Sequence, residues 1–399
     1  MTAAAPPAYE TFVEIECRQA VKDGQSVCGD DFKSLRIEQE KRHIAVLSDG
    51  LGSGIKANLL AGMTTTMALE FVRRNMEIVR SAEIIMDTLP VCEVRKISYA
   101  TFTVFDLLPG GRTRVIEMDN PPFIHLRGDK ALDWPRRMLA SERWPERQLA
   151  LSEFRVMPGD RLIAFSDGVS QAGIGGGEHR FGWKREGALD FIRAQIGAEP
   201  ELSARDLSER VVNRARMFNP GCRCIDDISC LVIYLRRPRR LRLLTGPPFN
   251  GRDDHDYAAT LLNFDGRSAV CGGTTAALVA RELGRKLETD IREVLASPGH
   301  PPAAKIAGID LVTEGILTLT ECARHLESGD FSGAAPAVRK LLDLLTGSDI
   351  IEFMVGTRVN EAHQDPKLPI DLEIRRNIIK KMRELLEKQY RKESVIQYF

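Results

Sequence analysis

The sequence predicts an α+β protein of two domains, and three observations carry that reading. Residues 11–235 hold short apolar or alternating runs that follow one another across tight turns such as Pro109-Gly110-Gly111 and Pro158-Gly159-Asp160, a pattern of antiparallel strands. Two helical blocks interrupt these runs, at about Gly54–Val94 and Trp183–Arg216, the second split near Pro200. Beyond residue 249, strand-like and helix-like runs alternate, which argues for βα units and a parallel sheet. A chain of 399 residues suits two domains, placed here at 1–240 and 241–399.

In the first domain, strands are expected at Phe12–Cys17, His43–Ser48, Tyr99–Leu107, Thr113–Met118, Glu153–Met157, Leu162–Ser166 and Ile228–Leu235, with a further run at Lys33–Glu38. Strands in runs and helices in pairs suggest helices stacked on a sheet sandwich. Arg236-Arg237-Pro238-Arg239-Arg240-Leu241-Arg242 and Thr245-Gly246-Pro247-Pro248 read as a solvated linker. No aromatic residue is interleaved, which disfavours a nucleic-acid patch. In the second domain, Arg267–Cys271 precedes a helix at Thr274–Leu283, Gly308–Val312 precedes one near Leu317–Leu326, and Ile350–Val355 precedes the long segment Leu372–Gln389. That segment carries Ile378, Ile379, Met382, Leu385 and Leu386 at helical spacing, the mark of a core-facing stripe.

Composition narrows the function classes. Basic and acidic residues are equal at 56 each, so net charge gives no reason to invoke nucleic acid or an anionic membrane. No stretch approaches the roughly 20 apolar residues of a membrane span, and the N-terminus lacks the features of a signal peptide. Eight cysteines are too sparse for a disulfide scaffold, so reduced thiols in the cytoplasm are expected.

The chemistry-bearing residues are aspartates at strand ends. His43-Ile-Ala-Val-Leu-Ser-Asp-Gly50 runs an apolar strand into an Asp-Gly turn, and Leu162-Ile-Ala-Phe-Ser-Asp-Gly168 repeats the phrase. Alone, either is a common turn. Gly29-Asp30-Asp31 and Ile225-Asp226-Asp227-Ile228-Ser229 add two further acidic pairs beside strands. Carboxylates gathered in this way repel one another unless a cation sits among them. Hard oxygen donors suit Mg²⁺ or Mn²⁺, and no His/Cys set accompanies them to suggest zinc. Gly50-Leu51-Gly52-Ser53-Gly54 has the wrong spacing for a dinucleotide loop. Cys222, Cys224 and Cys230 flank Asp226; a redox or soft-metal role competes there with three plain reduced thiols.

These motifs, in this order and at these separations, resemble the type-2C metal-dependent protein phosphatases, in particular the stage II sporulation protein E branch. Asn120-Pro-Pro-Phe-Ile-His-Leu-Arg-Gly128 and Ser98–Asp106 resemble further strands of that family, and the match covers about residues 10–235. The resemblance implies an αββα sandwich with a two-metal centre between the sheets. Asp30 and Asp49 then match the aspartates that hold the metal pair, Gly50 the glycine that offers its carbonyl, and Asp167 and Asp226 the later acidic ligands. Which of Asp226 and Asp227 binds stays open. The phosphate-binding arginine of eukaryotic relatives has no clear counterpart. Gly54–Leu69 corresponds to helices that move in regulated relatives and is a candidate switch.

Two divalent cations, Mn²⁺ or Mg²⁺, bridging a water would supply hydroxide for in-line attack on phosphorus. The expected activity is hydrolysis of phosphoserine or phosphothreonine on a phosphorylated protein, such as an anti-anti-sigma-like regulator. A non-catalytic module that keeps the fold and binds a partner is the alternative. A homo-oligomer is compatible with either.

In the second domain, Gly272, Gly273, Thr274 and Thr275 follow one strand, Glu314 and Gly315 a second, and Gly356, Thr357 and Arg358 a third. Loops at the carboxyl ends of parallel strands share one edge, where ligands bind, and amides at a helix start cradle anions. Ordinary caps and turns explain the same residues equally well. A regulatory, ligand-binding or docking role is the expectation for this domain.

Overall fold

The computed structural model describes residues 11–50, 52–89, 101–147, 149–175, 179–289, 304–358, 368–390 and 392–399. They form two compact units, 1–237 and 238–399. The Tyr99–Leu107, Ser98–Asp106 and Gly54–Val94 expectations fall partly outside these residues.

In the first unit the strands are β1 (Phe12–Ala20), β2 (Asp31–Ile37), β3 (Arg42–Ser48), β4 (Phe102–Leu107), β5 (Arg112–Met118), β6 (Ile124–Arg127), β7 (Lys130–Leu132), β8 (Arg137–Leu139), β9 (Leu149–Arg155), β10 (Asp160–Phe165) and β11 (Ile228–Arg236). The helices are α1 (Gly54–Arg73), α2 (Ile78–Thr88), α3 (Asp167–Ser170), α4 (Lys184–Ala198) and α5 (Ala204–Phe218). One sheet runs β1-β11-β10-β6-β7 and the other β2-β3-β4-β5-β9-β8, antiparallel throughout.

The strand period of two assigns each residue to a layer. In β3, Ala45 and Leu47 join Phe105, Leu162, Leu231 and Ile233 in a core between the sheets. Ile44 and Val46 face the other way and pack with Leu60, Ala68, Ile85 and Met86 of α1 and α2. Across the sandwich, Ile163, Phe165, Cys230 and Val232 meet Ile192, Leu207 and Val211 of α4 and α5. Four layers result, helices–sheet–sheet–helices, the expected αββα sandwich. Each buried Leu, Ile or Phe contributes about 1.5–3 kcal/mol. Helix starts are set locally: Glu77 accepts from Val79 and Arg80 N–H before α2, and Ser203 from Asp206 N–H before α5.

The second unit contains β12 (Arg240–Thr245), α6 (Asp254–Ala259), β13 (Arg267–Cys271), α7 (Gly273–Glu282), β14 (Leu287–Thr289), β15 (Ala304–Ile306), β16 (Leu311–Thr313), α8 (Ile316–Ser328), α9 (Pro336–Gly347), β17 (Ile350–Val355), α10 (Leu368–Lys388) and β18 (Glu393–Tyr398). Its sheet runs β14-β15-β16-β13-β12-β17-β18. The five strands from β16 to β18 are parallel; β14 and β15 add an antiparallel edge. α8, α9 and α10 cover one face through Leu319, Leu341 and Ile379, and α6 and α7 the other through Tyr257 and Val279.

The expected linker is where sequence and structure part. Arg240–Thr245 is the middle one of the five parallel strands of this sheet. Leu241 and Leu243 enter the core, while Arg240 and Arg242 share Glu352 of β17 at 2.9 and 2.8 Å. The arginines are neutralised by a carboxylate about a hundred residues away in sequence, which no local reading detects. β9 begins four residues earlier than expected, at Leu149, and it ends at Arg155 because Met157 belongs to a turn in which its N–H donates to Asp160 Oδ2. The Gly308–Val312 run is strand only from Leu311, since Gly308 turns the chain at φ 77°. Among the described residues, no helix is long and apolar enough to cross a membrane.

Candidate metal centre

Strand register brings the aspartates to one end of the sandwich. Asp31 pairs with Ser48, Ala20 with Ile228, and Phe165 with Cys230. The segments holding Asp30, Asp49, Asp167, Asp226 and Asp227 therefore leave their strands together.

Asp30 is 2% exposed. Its Oδ2 accepts from Ser229 Oγ at 2.6 Å, and its carbonyl accepts from Gln19 Nε2 at 3.2 Å. Burial pushes its carboxyl up to about 7, helped by repulsion from Asp227 and Asp167 and opposed by the Ser229 and Ser166 hydroxyls. Asp49 is half-buried. Its N–H donates to Thr101 Oγ1 and its carbonyl accepts from the same hydroxyl. Burial, then the charges of Asp30 and Asp167, raise its carboxyl to about 10, and it lies in hydrogen-bonding reach of Asp167. Asp167 opens α3 and accepts from Gln171 Nε2 at 2.8 Å. Asp226 is held up by burial and by Asp167 against the pull of Lys22, 3.6 Å away. Asp227 is buried; its Oδ1 accepts from Lys22 N–H at 2.9 Å, and its Oδ2 has no hydrogen-bond partner.

Three glycines make room for this cluster. A Cβ on Gly29 would lie 2.7 Å from Asp227 Oδ2, one on Gly50 2.5 Å from the carbonyls of Ala57 and Gly29, and one on Gly168 2.1 Å from the Asp227 carbonyl. Asp31 stands apart, tied to Lys33 at 3.2 Å and to Thr65 on α1.

The donor set fits a hard divalent cation. It is all oxygen, mutually repelling, and contains the orphaned Asp227 Oδ2. Among the described residues, no three side chains already converge as a closed ligand cradle, since Asp30, Asp167 and Asp226 are turned onto Ser229, Gln171 and Lys22.

The redox candidates separate. Cys222 is exposed, whereas Cys224 and Cys230 are buried, and burial pushes both buried thiols up. In the second unit, Gly272 N–H donates to the Thr313 carbonyl, and a Cβ on Gly315 would lie 3.3 Å from Gly272 Cα. The first two loops, carrying Gly272–Thr275 and Glu314–Gly315, therefore adjoin. The third is engaged elsewhere: Gly356 abuts Gly246 and Pro247, Thr357 Oγ1 donates to the Phe399 carbonyl, and Arg358 pairs with Asp254 at 2.8 Å.

The four-layer sandwich with acidic strand ends defines a phosphatase-type fold. Residues 39–236 match the Stage II sporulation protein E (SpoIIE) family, so the first unit is similar to that family. Similar solved structures include the phosphatase domain with a regulatory fragment of SpoIIE from Bacillus subtilis, at 17% identity and TM-score 0.47, covering 57% of this chain and 62% of that one. The chain thus spans about three fifths of that neighbour's length. The RsbU and RsbW domains of a Mycobacterium tuberculosis protein are 17% identical over 62% of this chain and 67% of theirs, at TM-score 0.43. The catalytic domain of the phosphatase PstP, in complex with two manganese ions, is 12% identical over 57% of this chain and 100% of its own, at TM-score 0.37. No curated protein matches the chain significantly.

Proposed function

We propose that the first unit is a metal-dependent protein phosphatase hydrolysing phosphoserine or phosphothreonine on a regulatory protein. The observation that carries this is the gathering of Asp30, Asp49, Asp167 and Asp226 at one end of the sandwich, where mutual repulsion and burial raise Asp30 and Asp49. Such an arrangement is costly unless cations neutralise it. Asp30, Asp49, Asp167 and one or both of Asp226 and Asp227 would hold two Mn²⁺ or Mg²⁺ ions, with the Gly50 carbonyl as a further donor. When bound, the metals activate water and neutralise phosphoryl charge. The chain's own part is positioning. Ser229 and Gln19 fix Asp30, Thr101 fixes the Asp49 backbone, and Gly29, Gly50 and Gly168 let the loops approach. The second unit is proposed as a regulatory, ligand-binding or docking domain.

The test is hydrolysis of para-nitrophenyl phosphate by the full chain with Mn²⁺, then with chelator, then in Asp49→Asn. Activity is expected with Mn²⁺ alone and a loss of at least about a hundredfold in the variant. Turnover indifferent to both treatments sinks the two-metal reading. Its absence under all conditions favours the partner-binding alternative.

A further inference from the structure

We propose that the groove between β1 and α5 is an anion site for a small phosphate-bearing molecule. The groove has a volume of about 300 Å³, at the lower end of small-ligand sites. Arg18, Gln19 and Ala20 line it from β1, and Arg205, Glu209, Val212, Asn213 and Arg216 from α5. The α5 residues fall at helical spacing, so they form one stripe facing the strand. Three guanidinium groups meet one carboxylate, an excess of positive charge that suits a dianion. Asn213 adds an amide donor.

Arg18 is the unusual member. Its Nε is buried without a hydrogen-bond partner, and among the described residues its guanidinium makes no ion pair. Three more deeply buried arginines of this unit have side-chain or carbonyl partners: Arg42 pairs with Asp106, Arg236 with Glu14, and Arg161, whose Nε is also unpartnered, donates through Nη2 to the carbonyls of Pro200 and Leu202. A buried donor left open is costly, and a planar guanidinium is shaped for a phosphate oxygen pair. Arg205 is likewise without an ion pair among the described residues, and Arg216 faces only the Cys224 thiol.

The charged residues of this groove, Arg18, Arg205, Glu209 and Arg216, are separate from the acidic cluster. On β1, Glu14 reaches Ala204 N–H of α5, and Arg18 shares its face by the strand period. Gln19 also lines the groove, but its amide donates to the Asp30 carbonyl and the Ser229 hydroxyl, so it is where the groove adjoins the cluster. None of the three arginines is assigned to the metals, so the site does not rest on the phosphatase reading.

The test is isothermal titration of the full chain, in chelator, with inorganic phosphate and separately with glycerol 3-phosphate. Saturable one-to-one binding of at least one probe is expected, weakened tenfold or more in Arg18→Gln and in Arg205→Gln and unchanged in Asp49→Asn. Preference for the ester assigns a phosphorylated metabolite; equal or better binding of phosphate assigns the free anion. Thermal melts of the variants matching the parent exclude unfolding as the cause, and Arg205→Gln, an exposed helical change, serves if Arg18→Gln melts early. No saturable binding of either probe, or binding that survives both arginine changes or vanishes in Asp49→Asn, overturns the proposal.

Discussion

Replacing Gly168 by alanine perturbs the acidic cluster without touching a carboxylate. The new methyl would lie 2.1 Å from the Asp227 carbonyl oxygen and 3.0 Å from its carbon. That is about 1.3 Å short of ordinary contact, and both sides of the clash are backbone. On one side α3 is anchored by Val169, which is fully buried; on the other, β11 is hydrogen-bonded to β1 and β10. Something must shift by about an ångström, and whichever segment yields carries Asp167 or Asp227. Overpacking of this kind costs about 1–3 kcal/mol, and the rigidity of both sides places it near the upper end. For a unit of this size each kcal/mol is about 2–4 °C in melting temperature, so the first unit should melt about 5–10 °C lower. On the proposed activity, a misplacement of about 1 Å costs roughly a hundredfold. Calorimetry and Mn²⁺-dependent para-nitrophenyl phosphate hydrolysis read the two effects. Gly197→Ala is the control: its Cβ would meet nothing within 4 Å in α4, so it should gain about 0.5–1 kcal/mol. If Gly168→Ala melts with the parent and keeps full turnover, the close approach of α3 to the Asp227 segment is wrong.

Three further outcomes are expected. Asp106 is fully buried and receives Arg42 Nε at 2.7 Å and Nη2 at 3.1 Å; Asp106→Ala should cost about 3–5 kcal/mol in urea unfolding, because it strands a buried guanidinium. Burial alone would raise the Asp160 carboxyl, but Arg127 and His125 outweigh it and hold it below its ordinary value. The unfolded chain therefore binds that proton more readily, so the contribution is complete above about pH 4 and is lost as pH falls through the folded value; Asp160→Asn should flatten this part of the acid limb in denaturant melts. Iodoacetamide at neutral pH should label Cys222 ahead of Cys224 and Cys230, whose thiols are buried and pushed up; equal labelling refutes their burial.

The first unit was legible because its signals are local. Strand β3 alternates Ile44, Ala45, Val46 and Leu47 between two cores, and its end is marked by Ser48-Asp49-Gly50 within a few residues. Strands β13 and β17 were equally plain, as apolar runs between turn residues. What escaped depends on distant partners. β12 reads as a basic linker until Glu352 is placed beside Arg240 and Arg242. Nor does sequence give the orientation of the carboxylates. It places Asp226 and Asp227 side by side, but only the fold leaves Asp226 near Lys22 and Asp227 buried with one oxygen unpartnered. The groove at Arg18 left no motif, because its charges come from a strand and a helix nearly two hundred residues apart.

The two units use glycine at strand ends to opposite effect. In the first, Gly29, Gly50 and Gly168 let backbone close in so that carboxylates share a small space. In the second, the parallel strands run β16-β13-β12-β17-β18, so the order reverses at β12, and the crevice between β12 and β17 is where doubly wound sheets bind ligands. Here glycines seal it. A Cβ on Gly356 would lie 2.2 Å from the Pro247 carbonyl and 2.3 Å from that of Gly246, while Arg358 N–H donates to Pro247 and its guanidinium pairs with Asp254. The nine loop residues therefore divide by physical state. Gly356, Thr357 and Arg358 are committed to packing. Gly272–Thr275 and Glu314–Gly315 adjoin at the β13–β16 edge, where Gly273 and Thr274 are exposed and Glu314 Oε2 lacks a hydrogen-bond partner. Among the described residues, that edge therefore keeps a carboxylate oxygen without a hydrogen-bond partner.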